Sequence, residues 1–385
     1  AVARILHQPT TGLFQAVGAG KTAVMAIAAM ELRRLGLANK PVVVVPNHML
    51  RQFTSEWLQL YPAARLLTAS SDDLTPTARR RFVGRAAAGD WDGIIMSHAG
   101  FQRLPVASDT EADYRDRELA TLRGHLAANQ DNPHLRSTVK RIERKLLAAE
   151  EKMKRLLATG TRDPGLTFEA VGIDYVFYDE AHACKNLATA SNIPGAAVDG
   201  SGRASDLAMK LDYLRQSGRA RIATLATATP IANSITEAHV MLRYTAPDLL
   251  ATSGTQAFDD WAATFGTVTT DLELSIEGGG RYRPKTRLSR FANVPEMLRM
   301  MHHVADIRTE ADLNLPIPAI AARPDGQPGP HTVLVASNPA LDGYISQLGE
   351  RADAVRGGAV DPADDNLLKI STDARKAALD VRLVT

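Results

Sequence analysis

The chain has 385 residues, and its 45 lysines and arginines nearly balance 43 aspartates and glutamates, which leaves a formal net charge of +2. This balance excludes a polycation that binds nucleic acid through its overall charge, so any such contact has to be local. A single cysteine, Cys184, excludes an internal disulfide framework, and no apolar run is long enough to span a membrane. We therefore expect a cytoplasmic enzyme of two or three domains without a membrane partner.

The first informative segment is a phosphate-binding loop, Gln-Ala-Val-Gly-Ala-Gly-Lys-Thr at residues 15–22, between an apolar strand and a predicted helix. Its candidate nucleotide-binding residues are Gly18, Ala19, Gly20, Lys21 and Thr22. In such a loop backbone N–H groups face phosphate oxygens, the Lys21 ammonium reaches the β- and γ-phosphates, and the Thr22 hydroxyl ligates Mg²⁺. The segment thus indicates ATP and Mg as cofactors and Lys21 as a catalytic residue.

This loop departs from the general phosphate-loop pattern, because Gln15 stands where that pattern has a glycine. The helix that follows is predicted from Thr22 to Leu35 by its alanines, leucines and methionines, and Gly36 closes it. The alternative interpretation of residues 18–20 is a tight turn beside an exposed lysine.

Strands and helices alternate from the loop to about residue 250, which predicts a parallel sheet covered by helices on both faces. The clearest strand is Val42–Val45, which ends at Pro46, and Gly93–Met96 is a further one. A helix predicted at residues 49–61 carries four apolar residues on one face, namely Leu50, Phe53, Trp57 and Leu60.

The alternation stops between residues 109 and 160, where apolar residues recur at helical spacing on either side of an Asp-Asn-Pro segment. This pattern predicts an antiparallel helical hairpin inserted in a first lobe that spans residues 1–250. The second arm has a basic face made of Lys140, Arg141, Arg144, Lys145, Lys152, Lys154 and Arg155. Three interpretations of such a face are open: it binds a DNA duplex, it binds a partner domain, or it is a solvated surface.

A pair of acidic residues follows Ile173–Tyr178, a β-branched and aromatic run that predicts a buried strand. Ligands gather at the carboxyl ends of parallel strands, so we expect Asp179 to hold the Mg²⁺ that Thr22 also ligates. Glu180 is expected to orient and deprotonate the attacking water, and His182 to link the nucleotide site to a neighbouring lobe. Asp179 and Glu180 can also serve as an N-cap and first-turn acid of the next helix.

The third motif, Thr-Ala-Thr-Pro at residues 227–230, follows a strand predicted at Arg221–Leu225 and is predicted to enter a helix at Pro230. Thr227 and Thr229 are candidate coupling residues, which bridge the acidic pair to a DNA-facing side. A plain strand-to-helix turn explains the motif almost as well.

Beyond Pro247, the densest basic stretch outside the hairpin is Arg281–Arg290, which follows a turn of three glycines. Arg283 and Lys285 in this stretch are candidate DNA contacts, and a surface hairpin explains it equally well. The helix predicted around Met300–His303 carries incidental histidines.

Together these segments resemble superfamily 2 DEAH-box helicases and translocases of the Swi/Snf-like branch. They more closely resemble the helicase part of the anti-restriction type helicase-methyltransferase proteins of phages, plasmids and integrative elements. The residues that carry the resemblance are 17–22, 42–50, 89–98, 178–187, 227–234 and 258–266. The resemblance implies a DNA-dependent ATPase that moves along double-stranded DNA and is often fused to adenine methyltransferase or nuclease modules.

The resemblance also implies DNA contacts. In the family the turn at Pro46 and Asn47 touches a DNA phosphate, and so do the residues equivalent to Ser97 and His98. Ordinary turn chemistry explains both turns as well.

A second lobe is implied too. Residues 331–385 resemble the opening of a second RecA-like lobe, which in two-lobed motors supplies an arginine to the transition state. No residue before Thr385 takes that role, so we expect weak Mg-ATP binding and poor hydrolysis by residues 1–385 alone.

The chain departs from the family in two places. Swi/Snf-like motors usually carry Asp-Glu where Gln15 and Ala16 stand, and glycine where Ala228 stands. We expect phosphate binding to survive both changes. The adenine-reading glutamine of such motors lies upstream of Ala1, which suggests a larger parent protein or a trimmed chain.

The predicted fold is α/β, with a RecA-like parallel sheet of the P-loop NTPase class that has helices on both faces. The predicted domains are a first ATPase lobe (1–250), a helical and basic extension (251–315), a linker (316–330) and the beginning of a second lobe (331–385). The predicted function is an ATP-dependent helicase or translocase motor lobe. The alternatives are a nucleotide-gated DNA-binding scaffold that binds ATP without efficient turnover, and a metabolic P-loop kinase, which the insertion and the basic stretch disfavour.

Overall fold

The computed structural model describes residues 1–70, 72–129, 151, 167–191, 193, 196–232, 234–274, 282–313, 321, 323–324, 326–327, 329, 331–334, 338–361 and 364–384. Across these residues nine strands are present: β1 (Thr10–Gln15), β2 (Pro41–Val45), β3 (Leu66–Ala69), β4 (Gly93–Ser97), β5 (Tyr175–Tyr178), β6 (Ala223–Thr227), β7 (Gly266–Leu274), β8 (Tyr282–Phe291) and β9 (Ala305–Arg308). Seven of them form one sheet in the order β3-β4-β2-β5-β6-β1-β9, and β7 pairs with β8 in a separate sheet. All pairs in the larger sheet are parallel, which confirms the predicted RecA-like α/β class.

Helices connect these strands. Their bounds are Val2–His7, Lys21–Arg34, Leu50–Leu60, Pro76–Ala88, His98–Arg103, Ser108–Asn129, Phe168–Val171, Gly202–Gln216, Thr236–Thr245, Pro247–Thr252, Phe258–Phe265, Val294–Val304, Glu310–Leu313, Pro339–Arg356 and Leu367–Leu379. None of the described helices is long and apolar enough to cross a membrane.

The larger sheet is buried on both faces, as expected for parallel strands that are connected through helices. Leu13, Val43 and Phe177 point to one face, where the helices Lys21–Arg34 and Leu50–Leu60 pack. The alternate residues of the same strands belong to a second apolar cluster, which also contains residues of the helices 202–216 and 236–245. Because both faces are covered, the carboxyl-terminal edge of the sheet is where polar side chains of adjacent strands meet.

Two strand boundaries differ from the prediction. β5 begins at Tyr175 rather than Ile173, because the Asp174 carboxylate accepts two backbone N–H groups from the segment before β2. β6 lies two residues later than the predicted Arg221–Leu225. Its threonines fit a buried strand because their hydroxyls have partners, such as the Tyr175 hydroxyl 2.7 Å from that of Thr224.

The helix predicted at residues 49–61 is present as Leu50–Leu60. Phe53 and Trp57 on its predicted apolar face are fully buried, whereas Leu60 is 46% exposed because it is the last residue of the helix. The helix start predicted at Pro230 was wrong. Pro230 does not start a helix, and the next one begins at Thr236. The intervening loop is held by side chains, since the Glu237 carboxylate accepts the Ala232 N–H and the Ser234 hydroxyl accepts the Thr236 N–H.

The predicted helical hairpin is only partly within the described residues. Its first arm is the helix Ser108–Asn129, on which Leu119 is buried. Residues 130–150 and 152–166, with the predicted turn and the basic face, lie outside the described residues, as do the three glycines before β8.

Contacts divide the described chain into two units. The first comprises Ala1–Thr269 and Thr286–Leu315, and the second comprises Thr270–Lys285 and Pro316–Thr385. The first unit contains the seven-stranded sheet. In the second, the helices Pro339–Arg356 and Leu367–Leu379 pack together, and Arg351 forms ion pairs with Asp365 and Asp373. The domain boundaries predicted at residues 250, 315 and 330 stay predictions.

Candidate nucleotide-binding site

The loop between β1 and the helix Lys21–Arg34 has the backbone shape that a phosphate-binding loop requires. Gly18 and Gly20 have φ angles of 82° and 79°, a region that glycine enters without steric cost. Gly20 is the N-cap of the helix, so the first helical N–H groups point out of the sheet edge. The predicted nucleotide-binding residues therefore lie at one helix N-terminus, where an anion is favoured. They are Gly18, Ala19, Gly20, Lys21 and Thr22.

Lys21 is folded back onto this loop. Its ammonium donates hydrogen bonds to the carbonyl oxygens of Gln15 and Ala16, at 3.0 and 3.1 Å. These bonds hold the charge inside the curve of the loop rather than in solvent. The alternative of a turn beside an exposed lysine does not describe this geometry.

Gln15, the residue that departs from the phosphate-loop pattern, is built into the sheet. It is 4% exposed, and its side-chain amide donates to the Asp306 carboxylate on the neighbouring strand β9, at 2.6 Å. The glutamine thus anchors the start of the loop to β9, to which the Ala16 N–H also bonds through the Arg308 carbonyl.

Asp179 lies at the end of β5 and is almost completely buried. Burial raises the pKa of its carboxyl group from the ordinary 3.8 to about 6, the charge of Glu180 adds to the rise, and the Lys21 ammonium opposes it. A carboxylate that is desolvated beside another acid favours a nearby cation. Asp179 therefore fits a role as a ligand of Mg²⁺, which prefers carboxylate and hydroxyl oxygens.

Glu180 adopts a left-handed backbone conformation, with φ 52° and ψ 48°, which is uncommon for a residue with a side chain. Glu180 occupies the N-cap position of the turn Ala181–Cys184, makes no capping bond with its side chain, and no acidic residue lies in the first turn. The alternative with Asp179 as N-cap and Glu180 as first-turn acid therefore does not describe this turn. The Glu180 side chain is 41% exposed, and one carboxylate oxygen lies 3.0 Å from Nδ1 of His182. The carboxylate thus remains accessible to water at the strand end.

His182 joins the ends of β5 and β6. Its Nδ1 lies 3.2 Å from the Thr227 hydroxyl, which in turn accepts the Thr229 N–H at 3.1 Å. Thr227 is fully buried, whereas Thr229 is exposed. The structure thus brings the acidic pair, His182 and the two predicted coupling threonines together in one chain of contacts.

The predicted DNA contacts occupy different environments. Asn47 is exposed at the start of a short turn after β2. Ser97 is buried, and its hydroxyl accepts the Gly100 N–H. His98 is buried as well, with Nε2 2.8 Å from the Asp179 carbonyl oxygen and its ring stacked on Tyr178 at 4.7 Å.

This environment leaves His98 uncharged near neutral pH, because burial lowers the pKa of its imidazole to about 4.

The remaining predicted DNA contacts lie elsewhere. Pro46 precedes the exposed turn at Asn47, while Arg283 and Lys285 lie on β8. Contact of all these residues with DNA stays a prediction.

One charged pair near the motifs escaped the sequence analysis. The Lys185 ammonium lies 2.9 Å from the Glu237 carboxylate, and both side chains are largely buried. No local pattern pairs them, because they follow different strands. The signal in the sequence is their position, since Lys185 lies within the segment 178–187 and Glu237 stands three residues after the segment 227–234.

The parallel sheet with a glycine loop at a helix N-terminus and an acidic pair two strands away defines a RecA-like P-loop ATP-binding domain. Residues 5–309 match the model of the family described as "Probable helicase domain", and the chain belongs to this family. It is a motor domain of the helicase type.

The chain is also similar to individual proteins. It is 26% identical over 264 residues to Defense against restriction protein B of Escherichia phage P1, across 66% of this chain and 11% of that protein. The chain therefore spans about a tenth of this curated relative. Among solved structures it resembles the Sulfolobus solfataricus SWI2/SNF2 ATPase core in complex with dsDNA, with 11% identity, a TM-score of 0.40, and coverage of 95% of this chain and 53% of that one. It also resembles a hypothetical ATP-dependent RNA helicase from Sulfolobus tokodaii, with 14% identity, a TM-score of 0.31, and coverage of 64% and 48%.

Proposed function

We propose that this domain is the first lobe of a cytoplasmic, DNA-dependent ATPase of the DEAH-box, Swi/Snf-like kind, which moves along double-stranded DNA. One observation carries the proposal. The predicted phosphate-binding lysine, the acidic pair, the histidine and the coupling threonine lie at the ends of the adjacent strands β1, β5 and β6. A domain that only holds ATP has no need of an accessible carboxylate such as Glu180 beside a buried one.

Each residue then has a role in hydrolysis. The loop N–H groups and the Lys21 ammonium bind the phosphates, and Thr22 and Asp179 hold Mg²⁺. When bound, the ion neutralises charge that develops on the phosphate oxygens. Glu180 orients the attacking water and takes its proton. His182 passes the change at Glu180 to Thr227 and Thr229, which are the coupling residues.

Further lobes complete the motor. The chain spans only 11% of its curated relative, so we infer that residues 1–385 function within a longer protein. A second RecA-like lobe that begins near residue 331 would supply the arginine that stabilises the transition state. Methyltransferase or nuclease modules are the other expected partners within that longer chain.

The test is Mg-ATP hydrolysis by the full-length protein that carries these residues, measured with and without duplex DNA. We expect stimulation by duplex, loss of ATP binding and turnover in Lys21→Ala, and loss of turnover with retained ATP binding in Glu180→Gln. The matched controls are Lys376→Ala and Glu296→Gln, since both residues are exposed and distant in sequence from the motifs. Binding of ATP without stimulated turnover in the wild type would instead favour the nucleotide-gated scaffold.

A second pair of assays separates the two kinds of motor. Displacement of a third strand from a triplex without separation of a duplex would identify a translocase. Separation of duplex strands would identify a helicase.

A further inference from the structure

Two loops that follow neighbouring strand ends are joined by an ion pair that is largely withdrawn from water. The Lys185 ammonium lies 2.9 Å from one carboxylate oxygen of Glu237, and the side chains are 15% and 6% exposed. The other carboxylate oxygen of Glu237 accepts the backbone N–H of Ala232, at 2.7 Å. Glu237 therefore uses both oxygens to hold two separate segments.

The first segment is the one that leaves the acidic pair. Lys185 directly follows the turn Ala181–Cys184, and its N–H donates to the carbonyl oxygen of His182, at 3.3 Å. A displacement of Glu180 or His182 therefore reaches Lys185 through one short, hydrogen-bonded turn.

The second segment is the loop that leaves β6. Ala232 lies in this loop, three residues after Thr229, and Glu237 is in the first turn of the helix Thr236–Thr245. The contact between His182 and Thr227 joins the strand ends themselves. The pair of Lys185 and Glu237 is thus a second connection between the same two segments, farther along the chain from both strand ends.

The same helix fastens the first segment at two more points. The Tyr244 hydroxyl donates to the Cys184 carbonyl at 3.0 Å, and the Arg243 guanidinium donates to the Ala188 carbonyl at 2.8 Å. The helix Thr236–Thr245 is therefore a common support for both segments. Within it the Glu237 side chain contacts both of them.

A buried ion pair is a poor way to gain stability, because desolvation of the charges offsets their attraction. Apolar residues of similar volume would fill the space at least as well. An ion pair instead sets which two groups must stay together, since either charge without its partner is unfavourable. This argues for a positioning role rather than a packing role.

We propose that Lys185 and Glu237 are positioning residues that make the turn after Glu180 and the loop after Thr229 move as one body, so that a change at the bound nucleotide reaches the DNA-facing loop. The inference rests on the proposed function. Loss of the pair then uncouples stimulation by duplex from Mg-ATP binding.

The experiment compares variants of the full-length protein by their ATPase rate with and without saturating duplex, their KM for Mg-ATP and their thermal unfolding midpoint. In Lys185→Met we expect the rate with duplex to fall to the rate without it, while KM changes less than about threefold. Lys185→Arg keeps the charge and should keep the stimulation. Arg34→Met is the matched control, because it removes an exposed ion pair with Glu31 at the far end of its helix.

The double variant Lys185→Met with Glu237→Gln separates positioning from stability. It leaves no unpaired buried charge, and the glutamine oxygen can still accept the Ala232 N–H. We expect it to recover the unfolding midpoint of the wild type but not the stimulation by duplex. Recovery of both, or an equal loss of the two rates in Lys185→Met, would show a purely structural role and overturn the inference. Absence of stimulation in the wild type would overturn the proposed function first, and the inference with it.

Discussion

Replacement of Asp179 by asparagine should stabilise the free protein at neutral and alkaline pH. The carboxyl group is buried beside Glu180, which raises its pKa to about 6 from an ordinary value of 3.8. Its charged form is therefore unfavourable in the folded state. An asparagine of nearly the same shape has no charge to bury, so the variant avoids this cost.

The magnitude and its pH dependence follow from linkage. A shift of about two pKa units corresponds to about 3 kcal/mol of unfolding free energy, at about 1.4 kcal/mol per unit. Because the folded pKa is the higher one, the contribution of Asp179 is fully present below pH 3.8 and is lost as pH rises through about 6. The variant and the wild type should therefore differ little near pH 4, and the variant should be more stable by about 3 kcal/mol at pH 8.

Urea unfolding followed by tryptophan fluorescence measures this difference. All three tryptophans, Trp57, Trp91 and Trp261, lie in the unit that contains the sheet. The contributions of other groups that titrate in the same pH range cancel, because only the difference in unfolding free energy between variant and wild type is compared at each pH. With Mg-ATP at pH 8 the wild type should instead be more stable than the variant, since Mg-ATP stabilises the wild type by mass action and the variant much less.

Two results would refute the reasoning. The first is an Asp179→Asn variant that is no more stable than the wild type at pH 8. The second is a stability difference that stays constant between pH 5 and pH 8, which would mean that the carboxylate is not penalised by its surroundings. Either would remove the physical basis for Asp179 as a ligand of Mg²⁺.

Other predictions concern the groups around the sheet. Burial lowers the pKa of the His98 imidazole to about 4, so its contribution to the free energy of unfolding is present above pH 6.5 and lost toward pH 4. In urea titrations, His98→Gln should therefore lose up to about 3 kcal/mol less of its unfolding free energy over this pH range than the wild type. Gly93→Ala should destabilise by about 1–3 kcal/mol, because an added Cβ would lie 2.5 Å from the buried Trp57 ring. Gly84 lies at an exposed position of the helix Pro76–Ala88 with open space for an added Cβ, so Gly84→Ala should stabilise by about 0.5–1 kcal/mol in thermal unfolding. Equal effects of the two glycine substitutions would contradict the packing described.

Much of the fold was predictable because local patterns determine it. The phosphate-loop helix begins within one residue of its predicted start, and Gly36, with φ 68°, follows its end. Val42–Val45 and Gly93–Met96 were predicted as strands and are present in β2 and β4. These elements depend on apolar spacing and on glycine, whose preferences act between residues close in the chain.

Predictions failed where a distant side chain decides the local structure. The boundaries of β5 and β6 depend on an Asp174 carboxylate that binds another segment and on threonine hydroxyls with buried partners. The helix after Pro230 starts late because Glu237 holds the preceding loop. Apolar periodicity contains no information about such polar partners.

The sequence by itself determined that a phosphate loop, an acidic pair and a Thr-Ala-Thr-Pro segment follow buried strands in this order. Each is a short run, and its residue types carry their own chemistry. Only the tertiary structure decided what surrounds them. It buries Asp179, pairs Lys185 with Glu237, and joins His98 to the Asp179 carbonyl across 81 residues. Burial and pairing are properties of the order of strands in the sheet, because that order determines which distant segments become neighbours.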